Sequence, residues 1–490
     1  MPFPRFLPLL LAYVAVVVPG HAQGDSQAKQ IDALVSGYVA AELFSGNVLV
    51  VRGDEVVFRK SYGLANRELC VPNDEGTKFR IGSLTKQFTA VLILQLVQEG
   101  KLKLAGTLAE YLEWFPAESG RRVTIQQLLG HTSGLPNYTL DVAALDDVRT
   151  HELTPEEFAR RHCVRAPEFE PGSRFAYCNT GYFLLGVVIE TVTKESFGAV
   201  LRERILDPAG MKDSGLDDPQ RILPGRAAGY SYGCDGYENA EFIDAGAAYL
   251  SAGCMYSTSG DLWRWDKALR GDKLLSLELR AQRITPGLGN YGCGVYVNRV
   301  PDAAGTGTTT IVGHNGSLYG FTANLTRWVE EDILVVLLDN TRAWERGNPE
   351  NIGAGIVAIL RGKEPEPLVR SLKVELTERA GTASGEELAH LYRKLKSEGA
   401  TCDLSGADVL LNNLGYHLLQ SGRTADALAL LRCASEEFPT RDYVWDSLGE
   451  ALVRDGQLDA ARASFTRALE LAPGNANARA WLEKLEQGER

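Results

Sequence analysis

Phe88, Ala90, Val91, Leu92, Ile93, Leu94, Leu96 and Val97 fall on every side of a helical period. That pattern predicts a helix buried all round in the core of a large domain. Upstream, NVLVVRGDEVVFRKS carries two β-rich runs hinged at Gly53 and Asp54, which predicts a hairpin. GCGVYVNRV, FTANLTRWV and DILVVLLDN read as three more strands. Ala28 to Phe44 and Pro349 to Leu360 read as helices at either end, and Leu102 to about Gly271 as a mostly helical and loop-like region. A sheet built from both ends of a domain, with a helical region inserted between, is an α/β sandwich.

The tail has a different pattern. Leu411 to Pro439 aligns with Trp445 to Pro473 at an offset of 34 residues. Gly415 falls on Gly449, Gly422 on Gly456, Ala427 on Ala461, Ala434 on Ala468 and Pro439 on Pro473. Small residues where two helices cross, with a proline at the exit, resemble tetratricopeptide repeats. Two such units need a neighbour to cover their apolar faces. Either a helix around Glu386 to Lys396 caps them or they pack on the front of the chain. The boundary is expected in RGKEPEPLVRSLK, where Pro365 and Pro367 break the pattern.

A chain of 490 residues exceeds what one core organises. Its net charge of -12 argues against nucleic acid or an anionic membrane surface as the main partner. The apolar run from Phe6 to Val18, with small residues at Gly20 and Ala22, reads as a secretory signal cut after Ala22, an uncleaved anchor being the rival. No later segment is long and apolar enough to span a bilayer. The eight cysteines show no CxxC spacing, so they are disulfide partners or buried thiols and not a metal or redox site.

Chemistry enters with SLTK at Ser83 to Lys86. Residues three apart in a helix lie about 60° apart, so Ser83 and Lys86 share a face. A serine hydroxyl is a poor nucleophile until a base takes its proton, and burial turns a lysine into such a base. SQAK at Ser26 to Lys29 repeats the spacing, but only SLTK opens a buried helix. Tyr177 and Asn179, directly before an apolar helix, form a Y-x-N set in which a tyrosine near a lysine can pass protons to a leaving group. The same tripeptide at Tyr237 lies in a polar loop, and at Tyr296 in a strand. In IVGHNGSLYGF, Gly313, Gly316 and Gly320 let backbone approach a ligand, and His314 offers a positive or hydrogen-bonding group. An edge strand there could present the Ser317 N–H to an oxyanion.

SLTK, YCN and HNG in this order and at these separations resemble the three motifs of the serine β-lactamase and penicillin-binding protein superfamily, closest to its class C branch. LLGHTSGLP and ILDPAGMKDSG are similar to stretches of that branch as well. The resemblance covers about Gln27 to Leu360. It implies a β-lactamase/transpeptidase-like α/β sandwich at 23–362, after a signal peptide at 1–22. A linker and capping helix at 363–400 and an all-α tetratricopeptide-repeat domain at 401–490 would follow. It further implies an exported serine hydrolase without cofactor or metal, acting on a small-molecule or peptide acyl donor. Ser83 would be the nucleophile, Lys86 its proton acceptor and Tyr177 the general acid and base. Asn179 would orient Lys86 and the substrate, with His314, Gly316 and Ser317 along the substrate and oxyanion strand. A histidine where the family usually has lysine resembles class C relatives that act as esterases, D-amino-acid peptidases or other amidases. The repeats suggest a protein partner, and a non-hydrolytic sensor that recruits one is the alternative.

Three features read as decoys. His131 is expected to order its loop, and GLGNYG at Gly287 to Gly292 to be a turn, because a strand follows it where a dinucleotide site needs a helix. The sequons NYT, NGS and NLT are expected to play no part.

Overall fold

A computed structural model describes residues 19–218, 220–233, 236–241, 245–341, 349–368, 370–397 and 402–487. The expected signal run Phe6 to Val18 lies outside them. Among the described residues no helix is long and apolar enough to cross a membrane.

Six strands form an antiparallel sheet: β1 (Gly46–Arg52), β2 (Glu55–Tyr62), β3 (Tyr296–Pro301), β4 (Thr308–Leu318), β5 (Phe321–Trp328) and β6 (Ile333–Asp339). Their order is β3-β4-β5-β6-β1-β2, so the two ends of the domain meet where β6 pairs with β1. These two central strands are buried on both faces, which is why they read as nearly continuous apolar runs. On one face Val48, Val50, Val335 and Leu337 pack under helices α1 (Pro19–Ala40) and α6 (Pro349–Leu360) through Ile31, Val35, Ile352 and Ile356. On the other face Leu49, Val51, Val336 and Leu338 share a core with α2 (Thr85–Gln98), α3 (Asn179–Thr193) and α4 (Ser259–Arg270). Helix α5 (Leu277–Arg283) follows α4.

One expectation needs correcting. The inserted region is mostly helix and loop, with Gly215–Leu216 and Met255–Ser257 joining Phe79–Arg80 in a small sheet, but Tyr237 lies in a hairpin strand, Gly236–Asn239, and not in a loop. Strand β4 is a sheet edge at its Ser317 end, as expected. It pairs with β3 from Thr308 to Gly313 and with β5 from Ile311 to Leu318. Only beyond Gly313 is its β3 side open, and there the turn Gly82–Leu84 packs against it.

The tail has its own core. Helices α7 (Leu372–Ala380), α8 (Gly385–Ser397), α9 (Ala407–Gln420), α10 (Thr424–Glu437), α11 (Asp442–Arg454), α12 (Leu458–Leu471) and α13 (Ala476–Glu486) contribute to it. A Cβ on Gly415 would lie 2.5 Å from Leu431, and one on Gly449 would lie 2.5 Å from Phe465, so both copies place glycine where paired helices touch. Of the two options for covering the first repeat, the capping helix operates. The Gly385 N–H donates to Asp426 at 2.9 Å, and Arg423 donates to the Ala380 and Ala383 carbonyls, so α7 and α8 close the end of the array. Leu372 and Leu376 of α7 join the tail core, while Val374 joins the α1/α6 core.

Candidate active site

Ser83 sits in the tight turn Gly82–Leu84 that leads directly into α2. The turn is pressed against β4: a Cβ on Gly316 would fall 2.0 Å from the Ile81 carbonyl, and one on Gly82, at φ +51°, 2.8 Å from the Ser317 nitrogen. Only glycines allow this approach. It brings the Gly316–Ser317 backbone to the Ser83 amide.

Lys86 is fully buried. Its Nζ donates to Ser83 Oγ at 2.9 Å, Asn179 Oδ1 at 2.8 Å and the Ala252 carbonyl at 2.7 Å. Three ammonium protons thus meet three neutral acceptors, with no carboxylate among them. Desolvation dominates, and it lowers the Lys86 pKa to about 7. The i, i+3 spacing makes the Ser83 contact inside one helical turn; tertiary structure supplies the other two.

Each of those acceptors is held from behind. The Asn179 N–H donates to Asn137 Oδ1 at 3.1 Å and its Nδ2 to Thr139 Oγ1 at 3.1 Å, which leaves Oδ1 for Lys86. Thr139 in turn donates to Asn137 at 3.0 Å. The Ala252 carbonyl follows a strained residue, Leu250, at φ 27°. Ser251 anchors that bend by donating to the Tyr182 carbonyl at 2.7 Å and accepting from Thr89 at 2.6 Å.

Tyr177 lies beside Lys86, whose Nζ is 5.0 Å from its ring centroid, and burial holds the phenol well above its ordinary pKa, so it is neutral. His131 brackets it. Its carbonyl accepts from the Ala176 N–H at 2.9 Å and its Nδ1 from the Cys178 N–H at 3.1 Å. The imidazole ring lies 4.2 Å from the Tyr177 ring, centroid to centroid. Burial, with Lys86 and His314 nearby, keeps His131 uncharged. It orders the loop and the tyrosine together and does not touch Ser83 Oγ.

His314 is the neutral alternative of the two its sequence allowed. It is 3% exposed, and burial, with Lys86 second, lowers its pKa to about 3. Its Nδ1–H donates to the Asn315 carbonyl at 2.5 Å, so Nε2 accepts from the Tyr291 hydroxyl at 2.9 Å. The ring belongs to an aromatic group with Tyr177, Tyr291 and Tyr296. It therefore puts no charge beside β4.

Ser83, Lys86, Tyr177, Asn179, Gly316 and Ser317 converge, and His314 stands behind them. Sequence reasoning missed four supports: the Ala252 carbonyl, Asn137, Thr139 and Tyr291. A backbone carbonyl has no signature in sequence. Asn137 and Thr139 were visible only as the sequon NYT, and Tyr291 only inside GLGNYG, which is a turn containing Leu288–Asn290. The second SQAK copy has Ser26 and Lys29 exposed on α1. Cys178, a possible source of misleading labelling, donates to the Leu135 carbonyl at 3.1 Å, and burial raises its thiol pKa. Cys70, Cys163, Cys178, Cys293 and Cys433 are free thiols, and Cys234 lies outside the described residues.

Comparison with known proteins agrees with this geometry. The family model described as Beta-lactamase matches residues 31–358, and Tetratricopeptide repeat matches residues 442–475. The putative penicillin-binding protein PbpX of Bacillus subtilis is 30% identical over 278 residues, covering 56% of this chain and 68% of its own. A penicillin-binding protein of Bacillus halodurans superposes with a TM-score of 0.57 at 28% identity, covering 66% of this chain and 98% of that one. A D-amino acid amidase of Ochrobactrum anthropi, complexed with L-phenylalanine, superposes with a TM-score of 0.55 at 26% identity, covering 64% of this chain and 91% of that one. A buried lysine bonded to a serine one turn away, on a helix the family model spans, is what this breadth of match leads one to find: the chain belongs to the Beta-lactamase family and is a serine hydrolase.

Proposed function

We propose that the chain is an exported hydrolase that acts through an acyl-enzyme on small esters, D-amino-acid amides or peptides, with β-lactams as poor substrates. One observation carries the reading: Lys86 Nζ lies 2.9 Å from Ser83 Oγ in a site whose acceptors are neutral, with a pKa of about 7. Neutral Lys86 takes the Ser83 proton as Oγ attacks the acyl carbon. The N–H groups of Ser83 and Ser317 receive the oxyanion. The proton then passes by way of Tyr177 to the leaving amine or alkoxide, and water enters by the reverse route to release the acid. Asn179 holds Lys86 and offers its amide to the substrate.

The substrate class follows from β4. Neutral and bonded to Tyr291, His314 supplies no fixed cation to grip a β-lactam carboxylate. That the Ochrobactrum relative is a D-amino acid amidase points the same way. We assign the catalytic unit to 23–362 and a protein-docking role to the repeats at 401–490, with 363–400 joining them.

Hydrolysis of a p-nitrophenyl ester by the wild type and by Ser83→Ala tests the assignment. Turnover is expected to fall at least about a thousandfold with the melting temperature unchanged. Near-wild-type turnover in Ser83→Ala would remove Ser83 from the mechanism.

A further inference from the structure

Behind the catalytic lysine, the next side chain on α2 points elsewhere. Gln87 is 2% exposed and lines a cavity of about 320 Å³ between α2, α4, α5 and strands β4 to β6. Trp265 Nε1–H, which can only donate, meets Gln87 Oε1 at 3.4 Å. The amide is thereby oriented, and Nε2 is left buried without a hydrogen-bond partner.

Arg283 lines the same cavity. It is 7% exposed, and its Nη1 is buried without a partner. Among the described residues its guanidinium makes no ion pair. Burial pulls its pKa down to about 10, the direction of a cation short of compensation. Leaving charged donors buried and unmatched is costly, so the arrangement favours an acceptor.

The surrounding charge has the same sign. Arg270, Arg280 and Arg327 also line the cavity, against one carboxylate, Asp266. Asp266 is already engaged by Arg270 at 3.1 Å and Arg327 at 3.0 Å, which also pair with Asp54 and Asp332 outside the lining, while Arg280 donates to the Arg270 carbonyl. The remaining wall is apolar, including Leu269, Ile284, Leu325 and Leu334. The unmatched donors of Gln87, Arg280 and Arg283, the last two without a carboxylate partner among the described residues, and the apolar walls complement an amphiphilic anion. At about 30 Å³ for each water molecule in the liquid, the volume corresponds to roughly ten waters, room for a ligand of about that many heavy atoms.

We propose that this cavity binds an alkyl or aryl carboxylate of about ten heavy atoms, its oxygens accepting from Arg283 and Gln87. The site is separate from Ser83 and does not depend on the hydrolase reading.

Calorimetric titration of the full chain with octanoate, beside octan-1-ol and octylamine, tests it. Octanoate is expected to bind saturably, one per chain, at least tenfold more tightly than either control. Arg283→Gln should weaken octanoate at least tenfold and leave octanol unchanged. Leu277 is 75% exposed and lines the cavity, so Leu277→Glu brings a repelling carboxylate to its mouth without disturbing the core. It should weaken octanoate in the same direction and serves if Arg283→Gln fails to fold. Equal affinity for octanoate and octanol, no saturable octanoate binding at millimolar concentration, or binding untouched by a folded variant would each overturn the proposal.

Discussion

Replacing Asn179 with leucine removes one of the three acceptors around Lys86 Nζ and puts nothing polar in its place. A hydrogen bond to a charged group contributes about 1.5–3 kcal/mol, and one pKa unit corresponds to about 1.4 kcal/mol. The ammonium form loses that stabilisation and the neutral amine does not, so the Lys86 pKa should drop by about one to two units from its value near 7. At pH 6 the wild type then has roughly a tenth of its lysine neutral, and Asn179→Leu about half or more. The plateau rate should fall, because a weaker base takes the Ser83 proton and the substrate loses an amide contact. The assay is kcat/KM for a p-nitrophenyl ester from pH 5 to 9, where the acid limb reports the free enzyme. An acid limb that stays near pH 7 in Asn179→Leu, or moves upward, would show that Lys86 is not the titrating base.

Three further outcomes follow. His314→Gln should keep the acid limb near pH 7, because His314 is already neutral down to about pH 3; loss of that limb would assign it to histidine. Between pH 7 and about 9.5 the unfolded chain keeps a proton on Lys86 that the folded chain has lost, so stability rises with pH in this window and Lys86→Met should remove the rise. From pH 7 to 9 the wild type should gain about 2–3 kcal/mol relative to Lys86→Met in urea unfolding, and parallel curves would refute the buried-lysine account. Gly316→Ala places a methyl 2.0 Å from the Ile81 carbonyl, so ester turnover should fall about a hundredfold or more from displacement of Ser83; full activity would mean that the strand does not set the serine turn.

Much of this protein was legible along the chain because its signals are local. A hairpin hinged at Gly53 and Asp54, a closing helix at Pro349–Leu360 and a helix apolar all round at Thr85–Gln98 follow from periodicity and turn chemistry. Ser83 and Lys86 were visible as a pair because three residues of helix bring them together without the rest of the fold. The tail was legible because its period repeats, down to the glycines at 415 and 449.

Tertiary structure decided what depends on distant segments meeting. The lysine is a base near neutral pH because packing buries it, and Asn179 and Ala252, 93 and 166 residues away, offer only neutral acceptors where a carboxylate would have kept it charged. His314 is neutral because Tyr291 and burial claim it, a state its neighbours in sequence do not report. Asn137 and Thr139 looked like a glycosylation signal, yet they orient Asn179, since hydrogen bonding across 40 or more residues leaves no mark in a local pattern. The chain thus names the groups that react, and packing sets their charge states.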